Sequence, residues 1–329
     1  MPVRAVLLAC LAALVLVGCR ETAATVGAPP PDPSAPKLRR LVQGHSAQWT
    51  ADGRVVYVDP RDGDVWSIRP GAERSRHLVG GKHRLALLVS PPKSRMLLLR
   101  GGRAFVASTD GNGLRALPHV PEGVMPIWND EGSRVTFELR RRGRGSIWAL
   151  PAGKGQPEPL FREFGGSVLV WAPDGRMVVR AFQAGEGGSF RATLFYRGEG
   201  EPTELPELSQ ARFLSDARIE AIDPEGSLVV LDEQRTILRR FPSSDPVRTF
   251  PDYTADGTLM VYEDDGRVWL AFGDWTSPQV LAAAACRRPA FSPDGSQIAC
   301  SLVETKRVHK GPSEVRRYVA VIDVPAELR

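Results

Sequence analysis

A short cassette recurs seven times along this chain and constrains its fold more than any other feature. Its clearest copy is FSPDGSQIAC, which begins at Phe291, and the equivalent turn residues recur at spacings of 38 to 43 residues. A period near 40 residues with strand–turn–strand content is typical of the blades of a β-propeller. The other copies begin at Trp49, Val89, Trp128, Trp171, Phe213 and Tyr253.

Each cassette combines an aromatic or apolar residue, a tight turn and an apolar strand. In the copy at Phe291 the turn is Pro-Asp-Gly. Proline presets φ for a type I turn, aspartate caps the backbone, and glycine takes the left-handed position that closes the hairpin. Seven positions after the aromatic residue, six of the seven copies have an apolar residue. The exception, Glu220, predicts a register shifted by one residue in the fifth copy, with Ile219 pointing inward.

The number of blades and the closure of the ring follow from the strands around the cassettes. A third apolar strand follows every cassette, but a fourth follows only six of them. The segment Leu38–Val42 precedes the first cassette and is therefore expected to pair with the last blade, beside Tyr318–Asp323. The sequence predicts a single all-β propeller of seven four-stranded blades, closed by this N-terminal strand. A six-bladed ring is the alternative, because the second and fifth copies depart from the pattern.

Two segments precede the repeats. Residues 1–18 contain one arginine and then an apolar run that is too short to span a bilayer comfortably, which is the form of a secretory signal peptide. The tetrapeptide LVGC that ends at Cys19 resembles a bacterial lipobox, which implies that Cys19 carries the lipid. A plain signal peptide or an uncleaved anchor is the alternative. Residues 19–36 are rich in Ala and Pro and are expected to form a tether, and residues 37–329 form the propeller domain.

The cassettes FSPDGSQIAC, WAPDGRMVVR and WTADGRVVYV carry a resemblance to a known repeat. They are similar to the WD-like propeller repeat of TolB-type periplasmic proteins, and the resemblance covers nearly all of residues 37–329. Together with the lipobox it implies a propeller lipoprotein of the bacterial envelope. The same repeat occurs in scaffold proteins and in non-catalytic propellers of some peptidases, so it indicates the fold more strongly than the function.

Two of the four cysteines fall within the repeats. Cys10 lies in the signal segment and Cys19 at the lipobox, which leaves Cys286 and Cys300 on either side of the last cassette turn. This placement predicts that the two residues lie near one another on adjacent strands. A disulfide is one expectation for an exported protein, and two buried thiols are the alternative.

The sequence carries no motif for catalysis or metal binding. No G-x-S-x-G elbow is present, and the nearest approach, residues 44–48, does not have the closing glycine. The five histidines show no ligand spacing. Acidic residues crowd two hairpins, at 59–64 and 263–265, but without a complete calcium motif we interpret them as solvated turns. We therefore predict no catalytic residue, no metal and no cofactor.

Basic residues collect in the loops that join second to third strands or that enter each blade. These loops share one face of a propeller, which predicts a docking surface for an acidic protein or an anionic envelope polymer. Ordinary solubilising charge is the alternative, since acidic loops lie on the same face. The longest such insert is residues 304–317. The predicted partner-binding residues are Arg140, Arg141, Arg142, Arg144, Arg287, Arg288, Lys306, Arg307, Lys310, Arg316 and Arg317.

The charge pattern and the leader favour an envelope module over a nucleic-acid-binding protein. The formal net charge is +5 at pH 7, with acidic and basic residues interspersed. We expect a non-catalytic, membrane-anchored interaction or scaffold module. Because Arg20 follows Cys19, we expect it on the outer membrane, facing the periplasm. The alternative is a small-ligand-binding propeller, or a hydrolytic or oxidising one, that uses the central channel and would need converging carboxylates or histidines there.

Overall fold

The computed structural model describes most of the repeat region and none of the N-terminal segments. The predictions for residues 1–36, including lipidation of Cys19, therefore lie outside the described residues. The described ranges are 38–81, 86–129, 131–141, 144–161, 166–171, 177–184, 190–197, 203–205, 208, 210–213, 218–223, 225–232, 234–241, 251–264, 266–306 and 313–329.

The described strands form seven four-stranded antiparallel sheets, and each sheet contains one cassette. The predicted all-β, single-propeller fold is confirmed. Blades 1 to 3 comprise β2 His45–Trp49, β3 Val55–Val58, β4 Val65–Ile68, β5 Arg76–Val79, β6 Ala86–Val89, β7 Arg95–Arg100, β8 Arg103–Ser108, β9 Arg115–Ala116, β10 Ile127–Trp128, β11 Arg134–Arg141, β12 Arg144–Pro151 and β13 Glu158–Phe161.

The remaining blades follow the same plan. Blades 4 to 6 comprise β14 Gly166–Trp171, β15 Met177–Ala184, β16 Phe190–Arg197, β17 Thr203–Glu204, β18 Gln210–Phe213, β19 Ile219–Ile222, β20 Leu228–Leu231, β21 Ile237–Phe241, β22 Asp252–Tyr253, β23 Leu259–Asp264, β24 Arg267–Phe272 and β25 Gln279–Ala282. Blade 7 comprises β26 Cys286–Phe291, β27 Gln297–Lys306 and β28 Glu314–Asp323, with β1 Arg39–Gln43 as its outermost strand.

The first described strand closes the ring. β1 pairs with β28, which places Arg39 opposite Val321 and Gln43 opposite Tyr318. It then continues through Gly44 into β2, so one segment belongs to both the last and the first blade. Gly44 is closely packed, because an added Cβ would lie 2.5 Å from Cδ2 of the Tyr57 ring. The predicted closure by an N-terminal strand is confirmed.

Both faces of the strands are buried because each blade packs against two neighbours. All four residues of β3 are buried. Val55 and Tyr57 pack in a cluster shared with blade 7, whereas Val56 and Val58 pack in a cluster shared with blade 2. The period-two alternation of a strand therefore distributes its side chains between two neighbouring blades rather than between core and solvent.

The fifth blade has the shifted register that Glu220 predicts. Phe213 lies opposite Ile219, six positions later in the sequence, whereas Phe291 lies opposite Ile298, seven positions later. Ile219 belongs to a buried apolar cluster of blade 5. The one-residue shift therefore places an apolar residue, Ile219, opposite Phe213.

Sequence analysis missed two further features of the cassette register. Glu220 is itself fully buried, and its carboxylate accepts a hydrogen bond of 2.7 Å from the Tyr253 hydroxyl of blade 6. Blades 1 and 4 also have the six-residue spacing, with Trp49 opposite Val55 and Trp171 opposite Met177. The shift is therefore a variant of the cassette turn rather than a defect of the fifth copy.

Tryptophan side chains join the innermost strands of neighbouring blades. Trp49 Nε1 donates to the carbonyl of Ala290 in blade 7 at 2.8 Å, and Trp128 Nε1 donates to the carbonyl of Leu88 in blade 2 at 3.1 Å. In both cases the acceptor directly precedes the aromatic position of the preceding cassette. The aromatic residue of the cassette therefore bonds one blade to the blade before it.

Polar side chains make the complementary bonds in the opposite direction. Gln48 accepts from the Val89 N–H at 2.8 Å and donates to the Leu87 carbonyl at 3.0 Å. Asp252 accepts from the Phe291 N–H at 2.7 Å. Gln48 and Asp252 each precede the aromatic position of their own cassette. These bonds satisfy backbone groups on the edge of the innermost strand, which has no strand partner on that side.

The ring has two faces that carry different connections. Because the strands of each sheet alternate in direction, the cassette turn and the segment after the third strand lie on one face, which we call the turn face. Hydrogen bonds join these segments, as from the Gly273 N–H to the Thr258 carbonyl at 2.8 Å in blade 6. The opposite face carries the second-to-third-strand hairpins and the connections that enter each blade, and we call it the hairpin face.

Candidate interaction face

The insert predicted as a loop at residues 304–317 begins and ends as an extension of two strands, and residues 307–312 lie outside the described ranges. β27 and β28 are ten residues long, and their pairing continues from Gln297 opposite Asp323 to Lys306 opposite Glu314. β1 pairs with β28 only as far as Tyr318. The two-stranded ribbon Val303–Lys306 and Glu314–Arg317 therefore extends past the outermost strand of blade 7 on the hairpin face. We call it the projecting ribbon.

Part of the predicted positive charge on the ribbon is neutralised by neighbours. Arg316 donates two hydrogen bonds of 3.0 Å to Glu314. The bonded Glu314 carboxylate raises the pKa of Arg316 above its ordinary value. Arg40 of β1 forms an ion pair with Glu304, and its guanidinium carbon lies 5.3 Å from the centre of the Tyr318 ring. Exposed pairs of this kind contribute little to stability, so their main effect is on the pattern of charge.

Two basic side chains of the ribbon remain available for a partner. Lys306 and Arg317 are exposed, and neither has an ion-pair partner within 4 Å among the described residues. Lys306 lies opposite Glu314, and its charge contributes, after Arg316, to lowering the pKa of that carboxyl. Arg317 lies near His45, and burial followed by the charge of Arg317 lowers the pKa of that imidazole. The Nδ1 atom of His45 lies 3.0 Å from the Ser46 hydroxyl.

Two predicted arginines lie at the base of the ribbon. Arg287 and Arg288 follow the first residue of β26, where Arg287 is opposite Ser301. Arg288 is exposed and has a left-handed backbone with φ of +53°. The pairing of β26 with β27 is irregular between Arg287 and Ala290. The structure thus brings Arg287, Arg288, Lys306, Arg316 and Arg317 to one sector of the hairpin face.

The other predicted basic residues belong to segments that are described only in part. In blade 3, Arg141 is opposite Arg144 at the end of the β11–β12 hairpin, next to Arg140. This places all three backbones on the hairpin face. Their side chains lie outside the described residues, as do Arg142, Arg307 and Lys310.

The acidic hairpin of blade 1 uses its carboxylates to build the turn. Asp59 is almost fully buried and accepts a hydrogen bond of 2.6 Å from Arg61, which holds the pKa of that carboxyl below its ordinary value. Asp64 accepts from His77 at 2.8 Å and from the Gly81 N–H. Within the described ranges, no group of three or more His, Cys, Asp or Glu side chains is arranged to hold a metal ion.

Lys93 connects two blades that are not neighbours. It occupies a turn position that is glycine in most other cassettes, and its φ is +58°. Its Nζ donates to the carbonyl of Phe291 in blade 7 at 3.0 Å, across the inner strand of blade 1. Burial lowers the pKa of Lys93, an effect that the nearby Asp252 carboxylate opposes. Lys93 thus links the inner strands of blades 2 and 7, and it does so from a turn with an unfavourable backbone conformation.

The two cysteines of the last blade are placed as a disulfide between β26 and β27. Their Cα atoms are 5.5 Å apart, within the usual range for such a bond. Both side chains are fully buried in the core shared by blades 6 and 7. That burial agrees equally with the alternative of two thiols, so the oxidised state of Cys286 and Cys300 stays a prediction.

Sequence analysis missed the partners that surround the ribbon. Arg40 and Tyr318 meet there only because β1 closes the ring. A signal for the strand extension was nevertheless present, because Glu304 and Lys306, like Glu314 and Arg316, alternate with a period of two. Such alternation is typical of a strand. The contact of Lys93 with blade 7 has no comparable signal, since it joins residues 198 positions apart.

Comparisons with families and curated proteins add nothing further. No protein-family model matches the chain, and no curated protein matches it. Among the described residues, no helix is both long enough and apolar enough to cross a membrane.

Solved structures resemble the chain at the level of the fold. YCF48 bound to D1 peptide aligns with a TM-score of 0.57 and 13% identity, over 91% of this chain and 98% of that one. Virginiamycin B lyase from Staphylococcus aureus aligns with a TM-score of 0.56 and 11% identity, over 88% and 99%. The C-terminal WD40 domain of Sif2 aligns with a TM-score of 0.54 and 11% identity, over 89% and 99%.

These structures support the WD-like propeller fold and leave the function open, because one of the proteins is a lyase and another is bound to a peptide. A putative TolB from Agrobacterium tumefaciens also aligns, at 14% identity over 77% of this chain and 95% of that one. Its TM-score of 0.48 is too low to carry an argument.

Proposed function

We propose that this chain is a lipid-anchored β-propeller of the bacterial envelope that binds an acidic protein or an anionic envelope polymer and carries out no reaction itself. The observation that carries the proposal is the projecting ribbon of blade 7. It extends a rigid, closed ring on one face and presents Lys306 and Arg317 without ion-pair partners among the described residues. Functional segments are commonly held out in this way by a rigid scaffold.

The charge around the ribbon supports an acidic partner over a neutral one. Arg287 and Arg288 lie at its base, and the arginines of the blade 3 hairpin are on the same face. Solvent-exposed charges attract an oppositely charged partner over about 10 Å at 0.1 M salt. Binding of this kind should be fast and should weaken as salt is added. The complex of YCF48 with D1 peptide is a precedent for a propeller of similar fold that binds a polypeptide.

Anchoring rests on the sequence around Cys19. The LVGC tetrapeptide, the preceding apolar run and the Ala/Pro-rich residues 19–36 together fit a lipoprotein whose domain is tethered to the membrane. We place the protein on the outer membrane, facing the periplasm. Cys19→Ala should release the protein from the membrane fraction or stall its processing. Normal processing with full membrane retention would overturn this part of the proposal.

The partner can be sought by site-specific crosslinking in intact cells. A photoreactive residue at Thr305, exposed on the ribbon, should capture a partner that mass spectrometry can identify. Thr258 is the matched control, because it is also an exposed threonine but lies on the turn face. Equal capture from both positions, or stronger capture from Thr258, would place the interface away from the ribbon.

A further inference from the structure

Exposed apolar side chains are concentrated at one outer corner of the ring. Of the six large apolar side chains that are exposed among the described residues, four belong to blades 5 and 6. Their exposed fractions are 37% for Ile237, 52% for Leu238, 45% for Phe272 and 40% for Val280. All four lie beside the turns between third and fourth strands, at the rim of the turn face. Concentrations of this kind commonly mark a surface that contacts a partner or a membrane.

A row of aromatic rings supports this corner from behind. Phe241 of blade 5 stacks on Trp275 of blade 6 with ring centres 4.4 Å apart. Tyr262 lies 5.4 Å from Trp275 and 6.3 Å from Trp269. All four rings are half-buried. The row packs blade 5 against blade 6 and gives the exposed side chains a rigid aromatic base.

The turn that carries Trp275 is strained. Trp275 has φ of +70° and Ser277 has φ of +51°, both in the left-handed region that favours glycine. Such a backbone is unfavourable for residues other than glycine. The turn is held by the Trp275 N–H, which donates to the Phe272 carbonyl at 2.8 Å. This unfavourable backbone holds the half-buried indole between the rings of Phe241 and Tyr262.

The charged groups at the corner already have partners. Arg239 donates to the Asp274 carbonyl at 2.8 Å, and Arg240 pairs with Asp223 and Glu225. The arginines of the corner are thus engaged within the protein, and exposed polar residues such as Asp274 and Thr276 lie between its apolar side chains. An acidic partner of the kind proposed for the projecting ribbon would gain little here. A second copy of the chain is also a poor occupant, because pairing two β21 edges would place their arginines together.

The chain leads toward the proposed lipid from the same side of the ring. Leu38, the first described residue, packs against the core shared by blades 6 and 7. Arg39 bonds to Asp323 at 2.8 Å, at the end of blade 7 that lies on the turn face. The polypeptide that continues toward Cys19 therefore leaves the ring one blade away from the apolar corner.

We propose that Ile237, Leu238, Phe272, Trp275 and Val280, which we call the apolar corner, insert into the interface of the lipid bilayer. This inference rests on the lipid anchor of the proposed function. Tryptophan is favoured at the interface between water and hydrocarbon, and apolar side chains gain about 25 cal/mol per Å² on leaving water. Contact through the rim would hold the disc edge-on to the membrane. Both faces, including the projecting ribbon, would then stay open to the periplasm.

The depth to which the apolar corner enters the bilayer can be measured on the full-length lipidated protein in vesicles of phosphatidylcholine and phosphatidylglycerol. A fluorescent probe on Leu238→Cys should be quenched by brominated lipid. The matched control is Leu114→Cys, because Leu114 is 40% exposed after the third strand of blade 2, away from the corner. The unsubstituted protein, labelled in the same way, measures any signal from its own cysteines.

Two further changes test whether the corner causes the quenching. Phe272→Ser with Val280→Ser should reduce quenching at position 238 severalfold while the far-ultraviolet dichroism is unchanged. Quenching should persist in about 1 M salt, where the screening length falls to about 3 Å, because the contact is apolar. If the probe at position 238 is quenched no more than the probe at position 114, the apolar corner does not insert into the bilayer, and the proposed lipid anchor is unaffected. A mass spectrum showing no lipid on Cys19 would contradict both the proposed lipid anchor and the proposed insertion of the apolar corner.

Discussion

Side chains bond the innermost strands of blades 6, 7, 1, 2 and 3 from blade to blade, whereas the outermost strands of the ring differ in burial and exposure. Trp49, Gln48 and Asp252 all bond the backbone of a neighbouring inner strand. At the outside, β5 ends in a buried valine, whereas four of the five residues of β21 are exposed. The comparison teaches that bonds between inner strands hold the ring together and leave its outer strands free to vary.

The outer strand β1 should be an exception, because we expect the ring to lose stability without it. Deleting residues 1–43 removes β1, leaves β28 without a partner on one side and uncovers the core against which Leu41 and Val42 pack. We expect the melting temperature to fall by about 10 °C or more, since each kcal/mol lost lowers it by about 2–4 °C in a domain of this size. Deleting only residues 20–36 is the control and should leave melting unchanged. An unchanged melting temperature after loss of β1 would contradict closure by this strand.

Substitutions of Trp49, on an inner strand, and of Trp275, at the rim, should differ in their effect on the free energy of unfolding. Trp49→Ala empties a core position and should lower the free energy of unfolding by about 3–5 kcal/mol. Trp49→Phe keeps a ring but removes the donor to the Ala290 carbonyl, and should cost about 1–3 kcal/mol. Trp275→Phe, at the half-buried rim, keeps a ring for the stack with Phe241 and should cost less than about 1 kcal/mol. Equal losses for the two phenylalanine variants in urea denaturation would remove the distinction between inner and outer strands.

The predicted disulfide would join β26, the innermost strand of blade 7, to β27. Its removal therefore tests how much this link contributes to the stability of the inner strands. If Cys286 and Cys300 are oxidised, replacing both with alanine should lower the free energy of unfolding by about 2–4 kcal/mol. Dithiothreitol should destabilise the unsubstituted protein and leave the double variant unaffected. Intact mass before and after reduction should differ by two hydrogen atoms. A protein that shows no mass change and no response to the reductant contains thiols instead.

Acid should act on the turn face through the cassette aspartates. The Thr254 hydroxyl, with the N–H and hydroxyl of Thr258, lowers the pKa of Asp256 from 3.8 to about 2. Because the folded pKa lies below the unfolded value, the contribution of Asp256 is present above about pH 4 and is lost as the pH falls through about 2. Asp256→Asn should therefore flatten the fall in stability between about pH 4 and 2, as should Thr254→Val. An unchanged slope in acid denaturation would contradict this assignment.

The blade and the ring closure could be predicted because their causes are local or periodic. The turn at Phe291 encodes its own geometry, and the spare strand Leu38–Val42 follows from the strand pattern. The hydrogen bond between Lys93 and Phe291 could not be predicted from the sequence, because it depends on how the ring closes. The same reason applies to the Glu220–Tyr253 bond, which makes a polar residue compatible with burial.

The candidate surfaces were predictable only in part. The basic residues of blade 7 were assigned to the correct blade, but as a loop rather than an extended hairpin. Charge alternation from Glu304 to Lys306 would have indicated a strand. The apolar corner was not predicted, because the residues of β21 read as an ordinary strand and their exposure depends on the packing of blade 5 against blade 6. Exposure at a rim is a property of the assembled ring rather than of any one segment.

Capture of the partner by charge variants of the ribbon tests the central claim most directly. Lys306→Glu with Arg317→Glu should abolish capture from intact cells and leave the melting temperature unchanged. Arg69→Glu with Lys154→Glu, the control, reverses two exposed charges on the turn face and should leave capture intact. Capture by the unsubstituted protein should also weaken as salt rises. Undiminished capture by the ribbon variant, or equal loss in the control, would contradict the account.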